Sequence, residues 1–342
     1  MINNKCYTYD DVNIIPNYSD IKSRDDVKLD TRFTKNTKLE IPIVASPMDT
    51  VTGFDMAFEM MKLGGVGVVH RFNSIEEQSS IMNRLHTEKY DHCELPLCAA
   101  VGVKGDYIER AQELFNNGCN TLLIDVAHGH HKLVGDAIEK IKTKLPGVEI
   151  VAGSVATGEG VRFLCQKGAD SVRVGIGNGS LCETRIRTGV GIPQVSALLD
   201  GISVADKFNV PVIADGGIRN IGDVCKGLAC GADSVMLGSL LSGTKESPGE
   251  IEKQGEWPNE KLFKKYRGSA SRDSKRSDKN VEGNHKVISY KGKTLRILSD
   301  IKDGIRSSFS YVGANNISEF HSKVEFIEVT RAGQIEARPH LL

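Results

Sequence analysis

The sequence has no surplus of either charge: 44 Lys and Arg stand against 44 Asp and Glu. Nucleic-acid binders normally carry a basic excess, so that class of partner is not indicated. Aromatic residues make up 6% of the chain and tryptophan occurs once. No apolar run approaches the roughly 18 residues that a membrane span requires, so no membrane partner is expected. The opening residues, Met1 to Cys6, lack the pattern of a secretory leader. The eight cysteines include no Cys-x-x-Cys pair, which argues against structural zinc and against a disulfide framework. Scattered thiols of this kind fit a reducing, cytoplasmic setting.

What the chain does have is glycine, 35 residues of it, clustered at the ends of short apolar runs. Eight such runs recur: Ile41 to Ala45, Gly65 to Val69, Leu97 to Val101, Thr121 to Asp125, Glu149 to Ala152, Ser171 to Ile176, Val210 to Ala214 and Ser234 to Leu237. Helix-like segments lie between them, such as Tyr107 to Asn116, Lys132 to Leu145 and Gly158 to Lys167. Parallel strands buried on both faces read as continuous apolar runs. Eight strand-then-helix units predict a (β/α)₈ TIM barrel, one catalytic domain over residues 1–342, with a doubly wound open sheet as the alternative. After the eighth run comes a polar stretch over about residues 245–292, read as a flap or a solvated loop.

In a barrel of this kind the loops after the strands carry the chemistry. Here they hold Ser46 and Met48, His70-Arg71, Asp125, Gly153-Ser154, the run Gly177 to Glu183, Asp215-Gly216-Gly217 and Gly238-Ser239. The glycine pairs after strands seven and eight offer backbone amides at the usual phosphate position of barrels, with Ser180 adding a hydroxyl. Asp215 could accept hydrogen bonds from ribose hydroxyls; a turn or cap role is the plainer alternative. Cys182 lies on a glycine-rich loop, where a thiolate can meet a ligand. Spacing alone identifies no base for it. His128 and His130 lack a carboxylate partner pattern and read as loop-shaping rather than metal-binding.

These segments together closely resemble the IMP dehydrogenase/GMP reductase family over nearly the whole length. The resemblance rests on Tyr9 to Val12, Ile41 to Val51, Ala127 to His130, Val174 to Gly177, the Cys182 loop with Thr188 to Gly191, Ile213 to Gly217, Met236 to Ser239 and Tyr266 to Gly268, in family order. It implies a barrel, usually tetrameric, that binds a purine nucleotide. Cys182 would attack C2 of the purine, and Thr184 with Glu282 would handle the proton. Ser180, Gly216, Gly217, Gly238, Ser239 and Tyr266 would hold the phosphate, with Asp215 on the ribose. Ser46, Met48, Gly268, Ser269 and Ala270 would complete the nucleotide site, the last two with Glu282 at the base edge. Asp125, Ser154 and Gly175 would lie on the nicotinamide side. Carbonyls of Gly177, Gly179 and Cys182 resemble the family's potassium site.

The chain also departs from the family pattern. Asn178 stands where the cysteine loop usually has Pro, Glu183 where it usually has Thr, and Ser154 where Asn is usual. The inserted pair of regulatory nucleotide-binding (CBS) modules is missing; the chain runs directly from Glu88 to Leu95 at that point. The span from Tyr266 to Glu282 is short and has no Arg-Tyr pair, the pair that serves water activation in the dehydrogenases. The flap therefore points to an NADPH-dependent GMP reductase. Gly243 to Gly249 and Arg331 to Ala337 look more like the alternative, an NAD-dependent IMP dehydrogenase. A barrel that binds purine nucleotides without turnover is a third reading, disfavoured by the intact Cys182, Thr184 and Glu282. Arg272, Lys275, Arg276 and Lys279 form a basic cluster that is either solvated or meets the 2′-phosphate of NADPH.

Overall fold

The computed structural model describes residues 5–88, 96–256, 258–275 and 281–337. Eight parallel strands form a closed barrel: β1 (Ile43–Ala45), β2 (Val66–Val69), β3 (Cys98–Val101), β4 (Thr121–Asp125), β5 (Glu149–Val155), β6 (Ser171–Val174), β7 (Val212–Asp215) and β8 (Ser234–Leu237). Each strand pairs with its neighbour in sequence, and β8 returns to β1 with Leu237 opposite Ala45. That closure excludes the doubly wound alternative. All eight apolar runs are strands. The sixth is shorter than its run, because Gly175 turns away from extended geometry with φ of 152°. The backbone is so close there that a Cβ on Gly175 would lie 1.8 Å from the Asp215 carbonyl oxygen.

Helices α1 (Phe54–Lys62), α2 (Ile75–Glu88), α3 (Tyr107–Asn116), α4 (Lys132–Lys144), α5 (Gly158–Gln166), α6 (Gln194–Ala205), α7 (Ile221–Ala229) and α8 (Thr294–Val312) follow strands β1 to β8. Their burial follows the helical period: in α4, Val134, Ala137, Ile138 and Ile141 are the buried apolar face. Thr157 caps α5 through the amide of Gly160, and Asn220 caps α7 through that of Asp223.

Alternation along each strand divides the core in two. Val44, Val66, Val68, Ala100, Leu123, Val151, Ile213 and Met236 fill the barrel interior. Their neighbours, such as Ile43, Val69, Leu122, Ile124, Val172 and Val174, pack outward in the larger core shared with the helices. Phe33 and Leu39 join the interior set from the segment before β1 and close the bottom. The opposite end, where the strands terminate, is left for polar loops.

The polar stretch after β8 corrects the expectation of a solvated loop. It contains a three-stranded antiparallel sheet, β9 (Glu252–Gln254), β10 (Lys261–Arg267) and β11 (His285–Ser289). The apolar alternation that would mark β10 is masked, because a lysine occupies one of its inward positions. Lys264 is 2% exposed, and its ammonium donates to the carbonyls of Thr244 and Ser247. Hydrogen bonds from a charged donor contribute about 1.5–3 kcal/mol. Lys264→Met should therefore loosen the flap sheet and leave the barrel intact. Limited proteolysis should cut faster within residues 245–292, with the main thermal transition nearly unmoved; an unchanged cleavage rate would show that Lys264 does not anchor the flap.

Candidate active site

The loop after β6 carries Cys182 and is tied to itself and to the flap. The Cys182 amide donates to the Gly179 carbonyl at 3.0 Å. Cys182 and Gly283 form an isolated antiparallel bridge. Around it, Glu183 N donates to Glu282 O at 2.8 Å and Asn284 N to Leu181 O at 3.1 Å. This pairing brings three side chains into a line. The Cys182 thiol lies 3.1 Å from the Thr184 hydroxyl, which donates to Glu282 Oε2 at 2.7 Å. A proton can pass along such a chain between sulfur, hydroxyl and carboxylate. The Thr184 oxygen is held there by the short helix Thr184–Thr188.

Among the described residues, the buried thiols have no such setting. Burial pushes Cys98 well above the ordinary thiol range. It pushes Cys119 and Cys230 up to about 12, and Cys165 and Cys225 up to about 11. Thiols so protonated are poor nucleophiles at neutral pH. Cys182, by contrast, is only half-buried and faces the cavity.

That cavity, about 250 Å³, opens at the strand ends. Its walls include Ser46, Met48, Ser180, Asp215, Gly216, Gly217, Gly238, Ser239, Tyr266, Gly268, Ser269 and Ala270, the residues assigned to the nucleotide from sequence. Asp125, Ser154, Gly175, Gly177 and Gly179 also line it, with Cys182, Thr184 and Glu282. Arg272 does not: it is exposed at the start of the short helix Arg272–Lys275. The Lys275 side chain, Arg276 and Lys279 lie outside the described residues, as does the stretch 89–95 where an insertion would fall. His128 and His130 are also outside the cavity wall. Their rings sit 6.3 Å apart, and His130 packs on Phe163. Among the described residues no cluster of His, Cys, Asp and Glu could hold a metal ion.

One end of the cavity is built for close backbone approach. Gly216 and Gly217 have φ of 92° and 79°, a conformation that costs glycine little. Gly217 N already donates to Asn178 O at 2.8 Å. The hydroxyls of Ser180 and Tyr266 meet at 3.2 Å. Burial raises the Tyr266 hydroxyl above its usual range, so it stays protonated and able to donate. The carbonyls of Gly177, Gly179 and Cys182 are the kind of donor a monovalent cation takes, and Gly179 O keeps a second lone pair beside its bond from Cys182 N.

The other end is charged. Asp125 from β4, Arg173 from β6 and Asp215 from β7 all point inward. Arg173 Nη2 lies 2.8 Å from Asp125 Oδ1 and Nη1 3.3 Å from Asp215 Oδ2. Arg71 adds a contact from its Nε to Asp125 Oδ2 at 3.4 Å. Burial alone would lift the Asp125 carboxyl, but Arg173 and Arg71 outweigh it and hold it below the usual range. Burial lifts the Asp215 carboxyl, Arg173 draws it back and Asp125 adds to the rise. Arg71 was read from sequence as part of the loop after β2, without a role, and Arg173 was not singled out. The signal was present: Arg173 is a lone cation at an inward position of an apolar strand.

A closed barrel with a thiol, a hydroxyl and a carboxylate in line at its mouth, beside a glycine-lined cradle, has the arrangement of an enzyme site. Comparison with known proteins specifies it further. The IMP dehydrogenase / GMP reductase domain model matches residues 6–340, and the chain belongs to that family. It is a family of oxidoreductases that bind purine nucleotides and use nicotinamide dinucleotides. The chain is 37% identical to an IMP dehydrogenase of Borreliella burgdorferi, covering 99% of this chain and 98% of that one. It is 36% identical to one of Cryptosporidium parvum, covering 98% and 95%. It is also 32% identical to one of Nitrosopumilus maritimus, covering 97% and 98%. That last alignment runs over 468 residues against 342 here, the excess being sequence this chain does not have. Among the described residues no separate CBS module is evident. Among solved structures, a variant of GMP reductase from Trypanosoma brucei in complex with guanosine 5′-monophosphate matches with a TM-score of 0.93 at 28% identity, over 100% of this chain and 99% of that one.

Two substitutions test the line of three side chains. Cys182→Ala should lower turnover by more than about 10⁴-fold, the scale of losing a nucleophile, while nucleotide still binds by calorimetry. Glu282→Gln keeps the shape and removes the proton acceptor, so turnover should fall about 10²–10⁴-fold. A Cys182→Ala enzyme retaining several per cent of its activity would exclude covalent catalysis at this residue.

Proposed function

We propose that the protein is a GMP reductase, converting GMP to IMP and ammonia with NADPH through a covalent link between Cys182 and C2 of the purine. The observation that carries this reading is the flap. The hydrolytic step of the dehydrogenase reaction needs a base for water, and loss of a general base costs about 10²–10⁴-fold. The residues from Tyr266 to Glu282 contain no Arg-Tyr pair. The described part of the flap is docked on the loop after β1 rather than free. Arg267 Nη2 lies 2.9 Å from Asp49 Oδ2, the Ser274 hydroxyl reaches the same carboxylate at 3.3 Å, and Ser271 and Ser274 meet at 3.0 Å.

The reductase direction asks less of the flap. The Cys182 thiol attacks C2 and yields its proton to the Thr184–Glu282 pair. The same pair returns a proton to the departing amine, so ammonia leaves and the sulfur-bound nucleotide remains. A nicotinamide dinucleotide, when bound, would supply the hydride for C2; the carbon–sulfur bond then breaks, Cys182 leaves as its thiolate, and a proton taken up from solvent restores the thiol. Asp215 holds the ribose, and the Ser180–Tyr266 pair with the glycine loops holds the phosphate. Asp125, Ser154 and Gly175 face the nicotinamide. The carbonyls of Gly177, Gly179 and Cys182 hold a monovalent cation, probed by comparing potassium with a larger organic cation, and the assembly is a homotetramer.

The names of the sequence relatives favour the second reading, an NAD-dependent IMP dehydrogenase, as do the segments Gly243 to Gly249 and Arg331 to Ala337. A paired assay of nicotinamide absorbance separates the two. Loss of absorbance with GMP and NADPH supports the reductase. A gain with IMP, NAD and potassium, and no loss in the first cuvette, would replace it with the dehydrogenase. Within the reductase reading, neutralising Arg272 and Arg276 together should raise the KM for NADPH and leave that for NADH nearly unchanged. Equal changes for both cofactors would remove these cations from recognition of the 2′-phosphate.

A further inference from the structure

The cation at the centre of the barrel mouth has no part in the reaction as written above. Arg173 is 5% exposed, and its guanidinium spans two carboxylates, Asp125 and Asp215. Its reach depends on a gap. Strand β5 lies between β4 and β6, with Asp125 opposite Gly153 and Gly153 opposite Arg173. A Cβ on Gly153 would stand 2.7 Å from the Arg173 Cβ. The missing side chain therefore leaves the space through which Arg173 meets a residue two strands away.

The two carboxylates are not equally provided for. Asp125 is also held by Arg71, through Nε at 3.4 Å and through its carbonyl from Nη2 at 3.2 Å. Among the described residues, Arg173 is the one cation paired with Asp215. The other titratable groups facing Asp215 are Asp125 across the barrel, Tyr266 from the flap and Tyr9 from the N-terminal segment. None of them is positive. Yet the Asp215 side chain keeps 24% of its surface exposed, on the cavity wall where a ligand would meet it.

We propose that Arg173 is a positioning residue that keeps Asp215 ionised and aimed into the cavity, where the carboxylate accepts hydrogen bonds from the two hydroxyls of a nucleotide ribose. This rests on the assignment of Asp215 to the ribose. An ionised carboxylate is acceptor-only and can serve both hydroxyls; a protonated one turns part of that capacity into a donor. Burial and the Asp125 charge both favour the proton on Asp215, and Arg173 opposes them. Without Arg173 the carboxyl takes its proton at a higher pH. The protonated form binds ribose less well, so nucleotide affinity then falls as pH drops through that raised value.

IMP serves as the probe, because both directions of the reaction bind it. Its Kd would be measured by calorimetry for wild type and Arg173→Met from roughly pH 6 to pH 8, with circular dichroism and melting curves checking the fold. The ratio of the two Kd values cancels the ionisation of the nucleotide phosphate itself. That ratio should rise about tenfold or more from the alkaline to the acid end, the scale of a one-unit shift. Arg173→Lys, which keeps the charge, should restore a nearly constant ratio. Should Arg173→Met fail to fold, Arg173→Met with Asp125→Asn removes one buried charge of each sign and still strips Asp215 of its cation; the same rise is expected. A ratio constant with pH in the folded variant overturns the proposal, even if affinity falls uniformly. Asp215→Asn separates this from the underlying assignment. Weakened IMP binding there, with a constant ratio for Arg173→Met, removes Arg173 alone; unchanged binding removes the ribose role of Asp215.

Discussion

Closing eight parallel strands into a ring leaves no free edge and forces every second side chain to face the axis. In the middle of the barrel that rule places Val44, Leu123, Val151 and Ile213 inside. Two residues further along the same strands it places Asp125 and Asp215 inside as well, at the level where the interior opens. Arg173, in register with Ile213, is caught one step deeper. Carboxylates and a guanidinium at such a site lose much of their hydration, and they persist because each is paired. The polar mouth is thus set by strand parity and needs no special local structure.

Parity cannot place Cys182, the proposed nucleophile, which stands outside the strands. Its setting comes from joining two segments far apart in sequence: Thr184 and Glu282 meet across 98 residues. The bridge between Cys182 and Gly283 fixes the spacing, so the thiol, the hydroxyl and the carboxylate arrive as one unit. The flap that carries Glu282 is itself fastened at two levels. Lys264 pins its sheet to the turn after β8, and Arg267 and Ser274 dock on Asp49. Both fastenings lie on the same flap as the Glu282 carboxylate.

How much of this was legible in the sequence follows from which physical signals survive in one dimension. The eight strands were readable because burial on both faces makes each one a continuous apolar run. The end of β6 was not, because the turn at Gly175 answers to the carbonyl of Asp215, which is near only in the folded chain. The flap sheet was hidden because Lys264 fills an inward position; its compensation, two carbonyls from the turn after β8, is a tertiary fact. The cavity walls were legible through motifs at strand ends. Arg173 was visible as a cation in an apolar strand, but its meaning needed Gly153, whose missing side chain matters only once β5 lies between β4 and β6.

Asn178 makes the same point about how a loop is stiffened. The family pattern has proline there, which fixes φ near about −65° and removes a backbone donor. Asparagine gives up that restriction and adds an amide side chain with donors and an acceptor. Here one donor and the acceptor of that amide are directed at the loop's neighbours. The Asn178 side chain donates to Gln194 and accepts from the Arg185 guanidinium, which also donates to Ile192 O. Its carbonyl accepts from Gly217. Arg185 fits beneath the loop because Gly177 and Gly191 have no side chains, since a Cβ on either would lie 2.7 Å from it. A covalent restriction on one residue is thereby replaced by hydrogen bonds that tie the cysteine loop to the start of α6 and to the glycine pair after β7. The loop's rigidity then depends on the surrounding fold being intact.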